Sequence, residues 1–317
     1  VPHKLIRRVA ENPASEVIVT LLPEHFVRFV STHGDDVDDV FALLLAARCP
    51  SVRLLGVTTV YGDVVERARI ARKLLRLSGH GDVPVVAGRG PTLGGRDPGR
   101  MISSGAGYAS DEAASARDGH EDAAEFIIEK VMGAAAGDAP VLVAIGPLTN
   151  VGEAIRREPR LAGRLRGLVV MGGRLGVDAQ QGEHNVNCDP DATRVVLESG
   201  ADLAIGTYEV TVRATLDRTD VARLRRAEEP ACLGAADMLE LYLGLRQRDW
   251  TAMYDPITLT LAYSDAYVTT RKVHIQGTYG DRLSRFDVLD GPPNSRVSVD
   301  IDAAAFHEHL LGTIVGG

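Results

Sequence analysis

The residues best suited to chemistry lie near the start of the chain, in "VSTHGDDVDDVFALLLAA" at 30–47. Asp35, Asp36, Asp38 and Asp39 place four carboxylates in five positions, and His33 stands just before them. Carboxylates about 4–6 Å apart repel one another strongly. An Asp in the first turn of a helix gains only roughly 0.3–1 kcal/mol from the helix dipole, so capping explains one of the four and not the set. A hard cation with oxygen ligands, Ca²⁺ or Mg²⁺, offsets the repulsion and suits this set better than zinc does. His33 offers another kind of positive group, a side chain that titrates near pH 6.5 (about) and can take a proton.

Positioning such groups requires a scaffold, and the hydrophobic pattern supplies one. Strands are expected at 25–32, 52–62, 83–88, 139–146, 165–173 and 201–211. Helices are expected at 38–49, 64–79, 123–135, 150–161 and 189–200. Strand and helix alternate, so the fold class is α/β with a mostly parallel sheet flanked by helices. No composition break demands a second domain, and residues 1–317 read as a single wound domain. Residues 89–119, rich in Gly, Pro and Ser, read as an active-site loop or lid. In such sheets ligands bind beyond the carboxyl ends of the strands. Those ends collect Asp35 to Asp39, Asp63, Asn150, Glu183, Asn185, Asn187 and Glu209. Carboxylates and amides in fixed places also suit the hydroxyls of a sugar. "DDVDD" matches an Asp-rich magnesium-diphosphate pattern of prenyl-transfer enzymes, but those are all-helical and the alternation here argues against them.

Composition bounds the rest. A net charge of -8 argues against a nucleic-acid surface. Three scattered cysteines and no CxxC pair suggest reduced thiols. No run of about 18 apolar residues is present, and "VPHKLIRRVAENPASEV" has no apolar signal core. The expectation is a cytoplasmic protein with a small-molecule substrate and no membrane or nucleic-acid partner.

Five ordered segments carry a family resemblance. They are "STHGDDVDDVFAL", "LLGVTTVYGD", "VLVAIGPLTNVGEAIR", "LVVMGG" followed by "GEHNVNCDPDA", and "MYDPITLTLAY". Together they resemble the inosine–uridine preferring nucleoside hydrolases. The resemblance implies a glycosidase that cleaves the N-glycosidic bond of a ribonucleoside or modified nucleoside. It implies Ca²⁺ held by Asp39, Asp255 and the backbone carbonyl of Ile145. It also implies ribose contacts from Asp38, Glu183 and Asn185, with Asp63 in the place of a family Asn, and a homodimer or homotetramer.

Departures from the pattern cluster at the same pocket. The family's DTD reads "STH", so His33 or Gly34 stands where an Asp is both ligand and general base. His33 is a candidate replacement base, and Asp36, in a shortened loop, is another; Asp38 and Tyr254 complete the candidate catalytic set. Tyr254 replaces the His of HDP, which can sit beside the leaving base. Trp250 is either a base-stacking or a core residue. Two outcomes stay open: a nucleoside hydrolase, or a repurposed member without calcium that binds or transforms another nucleoside-like ligand.

Overall fold

The computed structural model describes residues 15–21, 37–98, 122–135, 137–175, 182–279 and 284–316. In chain order the elements are β1 (Ser15–Leu21), α1 (Asp38–Arg48), β2 (Val52–Thr59), α2 (Val64–Leu77), β3 (Val85–Ala87), α3 (Ala123–Met132), β4 (Val141–Ala144), α4 (Thr149–Arg157), α5 (Leu161–Arg164), β5 (Gly167–Met171), α6 (His184–Cys188) and α7 (Pro190–Leu197). There follow β6 (Leu203–Gly206), α8 (Tyr208–Thr211), β7 (Thr215–Asp217), α9 (Arg218–Arg225), α10 (Pro230–Arg246), β8 (Trp250–Ala252), α11 (Tyr254–Thr260), β9 (Val268–Thr278), β10 (Arg285–Leu289), β11 (Ser295–Ile301) and α12 (Ala303–Gly316).

Nine strands form one sheet in the order β10-β9-β11-β6-β5-β4-β1-β2-β3. From β11 to β3 neighbouring strands run parallel. The pairs β9–β11 and β9–β10 are antiparallel. Parallel strands need covered faces, and β1 shows this residue by residue. Val17 and Val19 join one apolar cluster, Ile18 the other, and all are buried. The run β3-β2-β1-β4-β5-β6 reverses direction of travel between β1 and β4, which opens a crevice at their carboxyl ends.

One expectation lies outside the described residues and another needs correction. The strand expected at 25–32 lies outside the described residues. Ser15–Leu21, where no strand was expected, pairs with Val52–Thr59 on one side and Val141–Ala144 on the other. The expected strand 201–211 ends at Gly206, and Tyr208–Thr211 is a helical turn whose Thr211 hydroxyl donates to the Thr207 carbonyl at 2.9 Å.

Of the loop expected at 89–119, residues 99–119 lie outside the described residues. Its beginning is fixed. Arg89 N–H donates to Asn150 Oδ1 at 3.0 Å, Leu93 N–H to Asp189 Oδ2 at 2.7 Å, and the Arg96 guanidinium to the Cys188 carbonyl.

Helix α12 packs against α1 and β7. Tyr263 OH meets His309 Nε2 at 2.9 Å, and Tyr267 stacks on the same imidazole with centroids 4.6 Å apart. Burial pushes the His309 pKa below its ordinary value. The unfolded chain therefore binds a proton that the folded chain resists, and stability is lost as pH falls below about 6.5 toward the depressed folded value. His309→Asn should flatten that acid limb of a melting-temperature profile; an unchanged slope would remove His309 as its source.

Candidate active site

Two helices deliver the acidic centre. Helix α1 is buried along its whole first stretch, Asp38 through Ala46, against the sheet and helices α2, α11 and α12. Its first two residues are thus forced inside: Asp38 and Asp39 are only 3 % and 5 % exposed. Helix α11 brings Asp255, 5 % exposed. Its approach depends on Gly206 at the end of β6, where a Cβ would lie 2.1 Å from Thr258 Oγ1. Asp38 Oδ2 accepts the N–H of Asp255 at 3.0 Å, so one helix caps the start of the other.

Oxygens of Asp38, Asp39 and Asp255 all lie within 4.8 Å of one another. The amino termini of α1 and α11 both meet this cluster. Each helix end carries roughly +0.5 charge, which leaves about two negative charges on the three carboxylates. Buried, oxygen-only and doubly negative, this donor set fits a hard divalent cation.

Across the crevice, Glu183 caps helix α6. Its carboxylate accepts from Asn185 N–H at 2.9 Å, Val186 N–H at 3.0 Å and Gly173 N–H at 3.1 Å. The Asn185 amide donates to the carbonyls of Ile145 at 3.1 Å and Met171 at 3.3 Å. Ile145 in turn donates its N–H to the Thr20 carbonyl at 3.0 Å, which ties this group to the end of β1. Glu183, Asn185 and Ile145 therefore form one linked unit spanning the carboxyl ends of β1, β4 and β5.

Other expected residues take different places. Asp63 caps α2, accepting from Glu66 N–H at 3.1 Å. It follows a turn in which Tyr61 and Gly62 both have positive φ, 65° and 70°, a conformation that costs a tyrosine roughly 1–2 kcal/mol. Asn150 holds the Thr59 carbonyl at 2.9 Å, and Asn187 accepts from Ser284 N–H at 2.7 Å; both pin strand ends. Trp250 is 49 % exposed on β8, neither in the core nor buried against a site. His33 and Asp36 lie outside the described residues.

Comparison with known proteins follows this geometry. The inosine-uridine preferring nucleoside hydrolase family matches residues 33–308. A probable uridine nucleosidase 1 of Oryza sativa subsp. japonica is 31% identical over 255 residues, covering 74% of this chain and 76% of the rice protein. The chain belongs to the inosine-uridine preferring nucleoside hydrolase family. It is accordingly a hydrolase acting on N-glycosyl bonds. A second nucleoside hydrolase relative, the pyrimidine-specific ribonucleoside hydrolase RihA of Enterobacter sp. (strain 638), is 28% identical over 86% of this chain and 93% of its own. The fold is that of the purine-preferring ribonucleoside hydrolase from Gardnerella vaginalis, with TM-score 0.81 and 23% identity over 95% of this chain and 98% of that one. The family match begins at His33, downstream of β1.

Sequence reasoning missed two groups at this nucleoside hydrolase crevice. Asp189 is buried and accepts from Thr149 Oγ1 at 2.6 Å, Leu93 N–H at 2.7 Å and Ala192 N–H at 3.1 Å. Its place before Pro190 was the available signal, since Asp-Pro marks a helix start. Arg174 stacks on Tyr208, and Tyr208 on the expected candidate Tyr254; no local signal joins Arg174 and Tyr208 to Tyr254, so far apart in the chain.

Proposed function

We propose that this chain hydrolyses the N-glycosidic bond of a ribonucleoside at the Asp38, Asp39 and Asp255 centre, with Ca²⁺ as its metal. The observation that carries the reading is the buried three-carboxylate set at two converging helix ends, in the crevice between β1 and β4. Asp39, Asp255 and the Ile145 carbonyl would hold the ion. Bound there, calcium would supply Lewis-acid activation of water and a fixed anchor for ribose hydroxyls.

The protein's own groups divide the remaining work. Asp38 accepts from the ribose hydroxyls, and Glu183 and Asn185 hold the sugar from the opposite wall. The carboxylates stabilise positive charge on the ribosyl ring as the bond to the base lengthens. Tyr254, next to Asp255, donates toward the departing base. The water's proton goes to a base on the segment just before α1, His33 in this reading, with Asp36 as the competing carboxylate.

Names of the curated relatives point to uridine and other pyrimidine nucleosides, so uridine is the first substrate to test. Uracil release should depend on calcium, stop in excess chelator and return when calcium is restored. Hydrolysis at full rate by metal-free protein would overturn the metal reading. His33→Ala should lower kcat by about 10²- to 10⁴-fold and abolish the rise of activity with pH through imidazole deprotonation. Full activity in His33→Ala together with loss in Asp36→Asn would assign the base to Asp36. Among the described residues no helix is long and apolar enough to cross a membrane. A homo-oligomer, as family resemblance implies, and a cytoplasmic location, as the scattered cysteines imply, complete the proposal.

A further inference from the structure

Arg174, Tyr208 and Tyr254 stand at the ends of three different elements yet form one column. The Arg174 guanidinium carbon lies 3.8 Å from the centre of the Tyr208 ring. Tyr208 in turn stacks on Tyr254, with centroids 5.6 Å apart and planes inclined by 21°. Both contacts have favourable geometry, a cation over a ring face and an offset pair of rings.

The column is fixed at both ends to the candidate site. Arg174 follows Gly173, whose N–H is held by Glu183. Tyr208 donates its N–H to the Gly173 carbonyl at 3.1 Å. Tyr254 precedes Asp255, a member of the carboxylate centre. A permanent cation is thereby stacked behind the two aromatic rings, the second of which belongs to the neighbour of Asp255 in the chain. Among the described residues no carboxylate ion-pairs with Arg174, and its Nε is buried without a hydrogen-bond partner. Elsewhere on this protein arginines are commonly paired, as Arg213 is with Asp300 at 2.8 Å. A half-buried guanidinium stacked on Tyr208, itself stacked on the Tyr254 that precedes Asp255, is suited to backing an aromatic surface that meets negative charge arriving with the substrate.

We propose that Arg174 and Tyr208 are positioning residues for the leaving base: they hold the Tyr254 ring in place and back it with a positive charge as negative charge gathers on the base. The inference rests on the hydrolase reading above and adds to it the residues that act on the departing group. In the reaction the C1′–N bond breaks and its electron pair stays on the base nitrogen. The water oxygen bonds to C1′ and gives one proton to the general base. The base nitrogen takes up one proton, from the Tyr254 hydroxyl or from solvent, so one water is consumed and nothing else is required. Negative charge on the base is greatest before that proton arrives, and the column answers it with a planar surface backed by a cation.

The test compares two ribosides with different leaving groups, uridine and 4-nitrophenyl riboside. Nitrophenolate leaves as a stable anion and needs little help. Arg174→Ala and Tyr208→Leu should each lower kcat on uridine by about 10- to 100-fold, less than the loss of a group touching the reacting atoms. Both should largely spare 4-nitrophenyl riboside, and Arg174→Lys should recover part of the uridine rate. Equal losses on both substrates, or a change in KM alone, would overturn the proposal and reduce the column to a structural brace. Turnover of neither riboside by the unaltered chain would instead overturn the hydrolase reading, and the column's role with it. If Arg174→Ala fails to fold, the Tyr208→Leu substrate ratio still decides.

Discussion

Asp39→Asn is expected to raise the unfolding temperature in chelator and to lower it, relative to the unaltered chain, in saturating calcium. The reversal follows from the three buried carboxylates whose oxygens lie within 4.8 Å of one another. At an effective dielectric of about 20, each such pair costs roughly 3 kcal/mol, and removing one charge removes two of the three repulsions. Without metal the variant is therefore relieved. With metal it lacks a hard anionic ligand, and the stabilisation that ligand binding gives the native state shrinks. Hydrolysis should fall by more than about 10²-fold, the upper end of what losing even an outer partner of a ligand costs. Asp255→Ala should likewise lose bound calcium, but it is the less clean variant because it also alters the first turn of α11. Thermal melts in chelator and in calcium, with calcium stoichiometry measured on the same samples, decide the matter. Unfolding temperatures that move the same way in both buffers, or a full calcium complement in Asp39→Asn, would take Asp39 out of the ligand set.

Glu183→Ala should destabilise the fold by about 3 kcal/mol or more, since each unsatisfied buried polar group costs about 1–3 kcal/mol. The substitution strands the N–H groups of Gly173, Asn185 and Val186 at once. It also removes a negative charge from the start of α6. Glu183→Gln keeps one acceptor oxygen and turns an N–H₂ toward donors, so its cost should be intermediate. Urea unfolding reads both values. A loss below about 1 kcal/mol for the alanine variant would mean that water or a shifted chain replaces the carboxylate. If activity falls much further than stability in Glu183→Gln, the residue also touches the sugar; if the two fall together, it only shapes the wall.

The sequence disclosed the sheet wherever strand and helix alternate with clear periods. Val52–Thr59, Val85–Ala87 and Gly167–Met171 are buried runs of the expected kind. It did not disclose Ser15–Leu21 as a strand, because that segment is fixed by partners far along the chain, Val52–Thr59 and Val141–Ala144. Nor did it separate the end of β6 from the turn at Tyr208–Thr211, since "LAIGTYEVT" reads as strand throughout until Thr211 bonds back to Thr207. The antiparallel edge of β9 and β10 was not read at all. At the site, the Asp38, Asp39 and Asp255 set was legible through family-like motifs. Asp189 and Asn150 were not legible as the anchors they are, because an acidic or amide side chain at a strand end looks alike whether it serves a ligand or the backbone. Arg174 with Tyr208 was invisible for a different reason: a residue after β5 and the first residues of α8 and α11 become neighbours only when these elements are side by side.

The hydrogen bond from Asp255 N–H to Asp38 joins positions 217 apart in the sequence. On a ribosome adding roughly 5–20 residues per second, Asp38 and Asp39 emerge about 10 to 40 s before the residue that completes their centre. A nascent or truncated chain ending before α11 holds only two of the three clustered carboxylates, so on the proposed calcium reading tight metal uptake marks a chain made and docked through α11. Calcium capture can thus serve as a clock for maturation, readable by stalling synthesis on either side of residue 255.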